Sequence, residues 1–285
     1  MGLDTRGDIS IVEIIFYIPI LATSLIITLR HGFSRRAGWI FLLILAIIRI
    51  VGSAIHLASE NNQSNTTLRI TYSVLEAAGL SPLIVATLGF LNTIALHAFD
   101  GDRAVTLILR LLGTTSIVAL ALVIAGGIKL ANADNDISKL NSASTLRHVG
   151  AILFLVLFIF LALLHLYYWA QRDRIMEHRR KLLIGISLAL PFLGVRVIYA
   201  VLSSYAPVDP NDTNGSLAKF STSTGAWAIY LGMAVIMEFI VVLIYTFCGI
   251  TIPMLNDHKQ GSTTNDYMEN GSYDWSEPMS RRNQV

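Results

Sequence analysis

Seven apolar runs divide this sequence, near residues 10–29, 38–58, 71–97, 105–128, 147–170, 181–203 and 226–250. Each is long enough to cross a bilayer core, which takes about 20 residues at a rise of about 1.5 Å each. Hydrocarbon offers no water to satisfy a peptide group, so each run must pair its own amides and become a helix. The expected fold is therefore all-α: a polytopic bundle of seven spans over 10–253, between a short N-terminal segment (1–9) and a polar tail (254–285). The composition agrees, with 54% hydrophobic residues, a mean hydropathy of +0.60 and 14% charged residues, where soluble domains average about 25%.

A net charge of +2, spread over short connections, gives no basic patch for a nucleic acid. The single cysteine, Cys248, allows no intrachain disulfide and no cysteine-based metal site. The first nine residues carry Asp4, Arg6 and Asp8 rather than a basic leader, so the first run reads as retained. The tail, rich in Ser, Thr and Asn, has no hydrophobic period and reads as disordered.

Orientation follows from the connections. Those after spans one, three and five carry nine Lys or Arg, and those after spans two, four and six carry five. Short basic connections stay cytosolic, which places the N-terminus outside or in a lumen and the tail in the cytosol. The N-x-[ST] sequons at Asn62, Asn65, Asn211 and Asn214 all fall on the side so assigned to the lumen. They point to a glycosylated protein of an endomembrane such as the endoplasmic reticulum.

Ionisable groups inside a bilayer cost several kcal/mol and require a partner or a role. Five stand out within the runs: Glu13, Arg49, Glu76, Arg196 and Glu238. Counted from the lumenal ends, they lie at depths of about 5 Å (Glu13), 8 Å (Glu76), 10 Å (Arg196), 13 Å (Arg49) and 18 Å (Glu238). All five thus belong to one half of the bundle and are expected to converge on one cavity. Tyr17 follows Glu13 by four residues and Tyr199 follows Arg196 by three, so each pair shares a helix face. His56 lies two turns beyond Arg49, and Arg147 and His148 open the fifth span at the rim.

Three carboxyls against two arginines leave one acid without a strong partner, and such a group stays protonated in a low dielectric. That is what a general acid requires. Ranked by depth, Glu238 and Glu76 are the first candidates and Glu13 the third, with Arg49, Arg196, Tyr17 and Tyr199 orienting the carboxyls and a substrate head group. The bland alternative is that the arginines merely lock the bundle. An Arg-bearing run followed by a Glu-bearing run occurs twice (RIVGSAIHL then VLEAA, RVIYAVLSS then IMEFI), the weak trace of a repeat found in small carriers. Pro19, Pro82 and Pro191 should kink their spans. No GxGxxG, P-loop, HExxH or GxSxG string is present, and no cofactor or metal is expected.

Several strings carry a resemblance: EIIFYIPI from Glu13, RHGFSRRAGWIFL from Arg30, IIRIVGSAIHLAS from Ile47, LEAAGLSPL from Leu75, LPFLGVRVIYA from Leu190 and MEFIVVLIY from Met237. They resemble a filamentous-fungal seven-span family and, through it, the membrane-bound terpene cyclases of ascofuranone-type meroterpenoid pathways. The resemblance implies an acid-initiated cyclisation, in secondary metabolism, of a lipophilic prenylated substrate drawn from the bilayer. Protonation of an epoxide or alkene would start ring closure without diphosphate or magnesium, whose DxDD and DDxxD motifs are absent. The other expectation, from topology alone, is a seven-helix receptor or sensor. Against it, no lysine sits in the interior of a span to hold retinal, and no disulfide ties the lumenal loops.

Overall fold

A computed structural model of the chain describes residues 5–31, 38–61, 66–95, 103–132, 136–174, 177–207, 217–222 and 225–251. The four sequon asparagines (Asn62, Asn65, Asn211 and Asn214) and the tail lie outside these residues. The described residues are helical, with no strand.

Seven helical stretches are long and apolar enough to cross a membrane. Helix α1 (Thr5–His31) and α2 (Trp39–Asn61) match the first two runs. The third run is split into α3 (Thr66–Ala78) and α4 (Leu80–Ala95), with Gly79 between them and Pro82 in the next turn. Helix α5 (Arg103–Ala131) matches the fourth run. Helix α6 (Ile137–Ala170) begins ten residues before the expected start of the fifth. Asp136 caps it, its carboxylate accepting from the Ser138 amide at 2.9 Å, which supplies a helix start that apolar counting does not see. Lys139 therefore lies inside α6 rather than ahead of it, and Arg147 and His148 lie well within the helix rather than at its opening. Helix α7 (Glu177–Ser204) carries Pro191. The seventh span is α8 (Trp227–Tyr230) and α9 (Met237–Thr251), joined by a π-helical segment, Leu231–Ile236.

The broken third span is the hub. It is 78% buried, where the others range from 28% to 56%. It packs against α2, α5 and α7, while α1 lies along α2, α5 along α6 and α7 along α9. Outward faces are apolar, with Ile26, Ile117, Leu166 and Phe247 each at least 62% exposed. In lipid such a surface carries no penalty, so polar groups turn inward and apolar ones turn both ways.

Backbone approach is close at Gly38, the only described glycine with positive φ (+79°), which opens α2. A Cβ there would lie 2.6 Å from the Ala86 carbonyl oxygen. Gly113, on α5, would meet nothing within 4 Å. We therefore expect Gly38→Ala to lower the thermal unfolding midpoint in detergent, at a cost of at least about 1–3 kcal/mol from backbone strain alone. Gly113→Ala should leave it unchanged or raise it by the equivalent of about 0.5–1 kcal/mol.

Candidate functional site

Helices α1 and α2 run antiparallel with a regular register of polar contacts. Ser10 Oγ lies 2.8 Å from His56 Nδ1, and three residues along each helix Ser53 Oγ donates to Glu13 Oε2 at 2.7 Å. One turn further, Tyr17 and Arg49 meet the same oxygen, Glu238 Oε1; the tyrosine hydroxyl donates at 3.2 Å and the arginine through Nε. The spacing of three and four residues puts each set on one helix face.

Arg49 is the centre of the site. Its Nε and Nη2 grip the two oxygens of Glu238 as a fork, and its Nη1 donates to Glu76 Oε2. Arg196, on α7, donates from Nε to Glu238 Oε2 at 3.2 Å and from Nη2 to Glu76 Oε1 at 3.3 Å. Each arginine thus touches both carboxylates, and four elements (α2, α3, α7 and α9) are joined by one charge-balanced quartet. Glu238 is fully buried and Arg196 is 1% exposed. Charges so placed persist only when paired and hydrogen-bonded.

Two backbone irregularities make the quartet possible. The first is Gly79, where a Cβ would stand 3.1 Å from Arg49 Nη2, so the guanidinium lies against bare backbone. At the same interruption Arg196 Nη2 donates to the Glu76 carbonyl at 3.0 Å. The second is the π segment of the seventh span. Tyr230 and Glu238 are eight residues apart and would point in different directions on a regular helix. One extra residue in the intervening turn makes eight count as seven, which is two turns. Both side chains then face inward, and the Tyr230 hydroxyl donates to Glu76 Oε2 at 3.1 Å while accepting from the Tyr72 hydroxyl at 2.9 Å.

Glu13 stands outside the quartet. It is 4% exposed, its Oε2 is held by Ser53, and its Oε1 has no hydrogen-bond partner. The two carboxyls ranked first by depth, Glu238 and Glu76, are those the arginines hold, and the third-ranked one is left over. Depth did not decide the matter; the faces on which Arg49 and Arg196 project did.

The remaining expected residues divide. The Arg196 guanidinium lies 5.8 Å from the Tyr199 ring centroid, so Tyr199 meets the cation by its face rather than orienting a carboxyl. The His56 ring lies against that of Tyr72 with centroids 4.2 Å apart and planes tilted by 36°, one layer above the ion pairs. His148 stacks on Tyr205 (4.1 Å, interplanar angle 9°) and is not among the cavity-lining residues. Arg147, well inside α6, lines a cavity of about 30 Å³ together with Glu76, Arg196, Tyr199 and Thr222.

The sequence reading missed Arg6, Ser53, Tyr72, Gly79 and Tyr230. Arg6 donates to the carbonyls of Thr222 and Gly225 and sits over the Tyr230 ring, holding the segment before α8 down on the site. Tyr72 and Tyr230 carry no charge and so did not stand out among apolar neighbours. Among the described residues, no group of three His, Cys, Asp or Glu is arranged to hold a metal ion.

A family model described as a domain of unknown function, DUF7702, matches residues 3–255. The chain belongs to this family. No curated protein matches it, and no solved structure does. The matched range takes in all seven DUF7702 spans and every residue of the site.

In this DUF7702 chain, removing Arg49 would leave buried carboxylates without their main counter-charge. Arg49→Met should cost about 3–5 kcal/mol, read as a lower midpoint of denaturant unfolding in mixed micelles. Glu13→Gln, which keeps the size and leaves the ion pairs intact, should cost less than about 1.5 kcal/mol, the worth of one ordinary hydrogen bond. An Arg49→Met protein as stable as wild type would contradict the paired quartet.

Proposed function

We propose that this protein is a membrane-bound cyclase that starts ring closure of a lipophilic prenylated substrate by protonating an epoxide oxygen or an alkene carbon. The observation that carries the reading is the partnerless Glu13 Oε1, buried beside a quartet in which every other charge is balanced. With Glu76 and Glu238 neutralised by two arginines, a third carboxylate would be an uncompensated buried charge, so Glu13 is held as the neutral acid.

The acid delivers its proton from Oε1 to the substrate. If an epoxide is the initiator, its carbon–oxygen bond breaks and the oxygen becomes a hydroxyl. The π bonds of the chain then add to the cationic carbon in turn, and the last cation loses a proton that returns to Glu13. The sum is an isomerisation, with no electrons or atoms left over. Arg49 and Arg196 are positioning residues: they fix Glu76 and Glu238, and through them Tyr230 and Tyr17. Tyrosine faces around the site would stabilise the migrating cation.

A cavity of about 30 Å³ has room for a water or two and not for a farnesyl chain. Substrate entry therefore requires the bundle to open around the site. The same closure favours a second reading, a receptor or sensor in which a ligand opens the four-element ion lock. We further propose that the N-terminus is lumenal and the tail cytosolic, with the four sequons glycosylated in the endoplasmic reticulum. A C-terminal tag protected from protease in sealed microsomes would invert that orientation.

Glu13→Gln, expressed and folded in microsomes supplied with an epoxyfarnesyl phenol, should lose about 10²–10⁴-fold in turnover, the usual worth of a general acid. Turnover at the wild-type rate would remove Glu13 from the chemistry. A wild-type protein that converts no prenylated substrate, yet couples to a cytosolic G protein, would establish the receptor instead.

A further inference from the structure

We infer that the cavity between α3, α5, α6 and α7 is a binding subsite for a carboxylate, with Arg147 as its counter-ion. Arg147 lines this cavity, hydrogen-bonds to no described residue and pairs with no described carboxylate. Three other arginines at this end of the bundle, Arg6, Arg49 and Arg196, have partners. Arg6 holds two backbone carbonyls, and Arg49 and Arg196 share Glu76 and Glu238. The one carboxyl left over, Glu13, is engaged with Ser53 between α1 and α2. It does not line the cavity.

A half-buried arginine that lines a small cavity and has no anion against it is a ready-made fork for one. Charge decides which anion. Arg196 is already neutralised by the quartet, so Arg147 contributes a single unmatched positive charge, equal to that of a carboxylate and too small for a phosphate dianion. Shape points the same way, since two parallel N–H groups match a planar carboxylate and about 30 Å³ suits its two oxygens. Thr222 and Tyr199 line the same cavity, as does Glu76, whose charge the two quartet arginines already meet. Val123 and Phe154 form an apolar wall on which the ligand's first carbons would lie. The ligand class is a carboxylic acid with an apolar body. The inference rests on Arg147 and the cavity alone and holds whether or not Glu13 donates a proton.

The test uses the full chain in nanodiscs with octanoate as the probe, read by the thermal unfolding midpoint. A ligand that binds only the folded state raises the midpoint with concentration. Octanoate should raise that of the wild type, while 1-octanol should not. Arg147→Gln should weaken the octanoate response by about tenfold or more, as expected for loss of one member of a buried charged pair. Arg147→Lys, which keeps the charge and loses the fork, should respond in between and serves if the glutamine variant does not fold. Lys129→Gln, outside the cavity lining, should respond like the wild type. Three results would overturn the assignment: no octanoate response in wild type, an equal response to 1-octanol, or a stronger response to octyl phosphate. Because no turnover is measured, a failed cyclase assay and a failed binding assay are separate results.

Discussion

Everything in this bundle is arranged around the attraction between Arg49 and two carboxylates from different helices. The gross Coulomb energy of such contacts is large where water is excluded, and so is the cost of taking the charges there. The arrangement is therefore less a source of net stability than a demand on geometry. Once Arg49 is committed to Glu238 and Glu76, three spans are fixed in rotation and depth, and Arg196 adds the fourth element by meeting the same two acids. Apolar packing in lipid cannot supply such a constraint, because one greasy helix face is worth much the same as another.

The departures from ideal helices follow from that demand. A straight third span would present a side chain where the Arg49 guanidinium lies, and the chain has Gly79 at that place. A regular seventh span would turn Tyr230 away from Glu76, and the π segment restores it. Both irregularities sit within two helical turns of the ion pairs, where backbone strain or irregularity most often accompanies a site. What the quartet leaves over is equally informative. Outside it stand Glu13, with one oxygen that has no hydrogen-bond partner, and Arg147, which pairs with no described carboxylate. In the proposed reading the first supplies proton chemistry and the second recognises a negative head group.

Much of this was legible in the sequence. The seven spans and the five ionisable residues stand out because apolar length and buried charge are rules that hydrocarbon enforces on every chain. The α1–α2 register was half legible, since Glu13 with Tyr17 and Arg49 with His56 share faces by count alone. What could not be read was which carboxyl each arginine takes. Depth along a helix comes from counting, but rotation about its axis depends on the break at Gly79 and the extra residue before Glu238, and neither has a clear sequence signature. The early start of α6 was hidden for a related reason, because its first turns are polar and begin at an Asp136 cap. Arg6, Tyr72 and Tyr230 went unnoticed because their importance lies in partners over 150 residues away.

The central claim is that two arginines ionise two of the three glutamates and leave Glu13 a neutral carboxylic acid. Infrared spectroscopy of the protein in nanodiscs reads this directly through the carbonyl stretch of a protonated carboxyl, which a carboxylate does not show. The account predicts such a band in the wild type at neutral pH, shifted in heavy water, and its loss in Glu13→Gln. A wild type without the band, or a band that survives in Glu13→Gln, would contradict it.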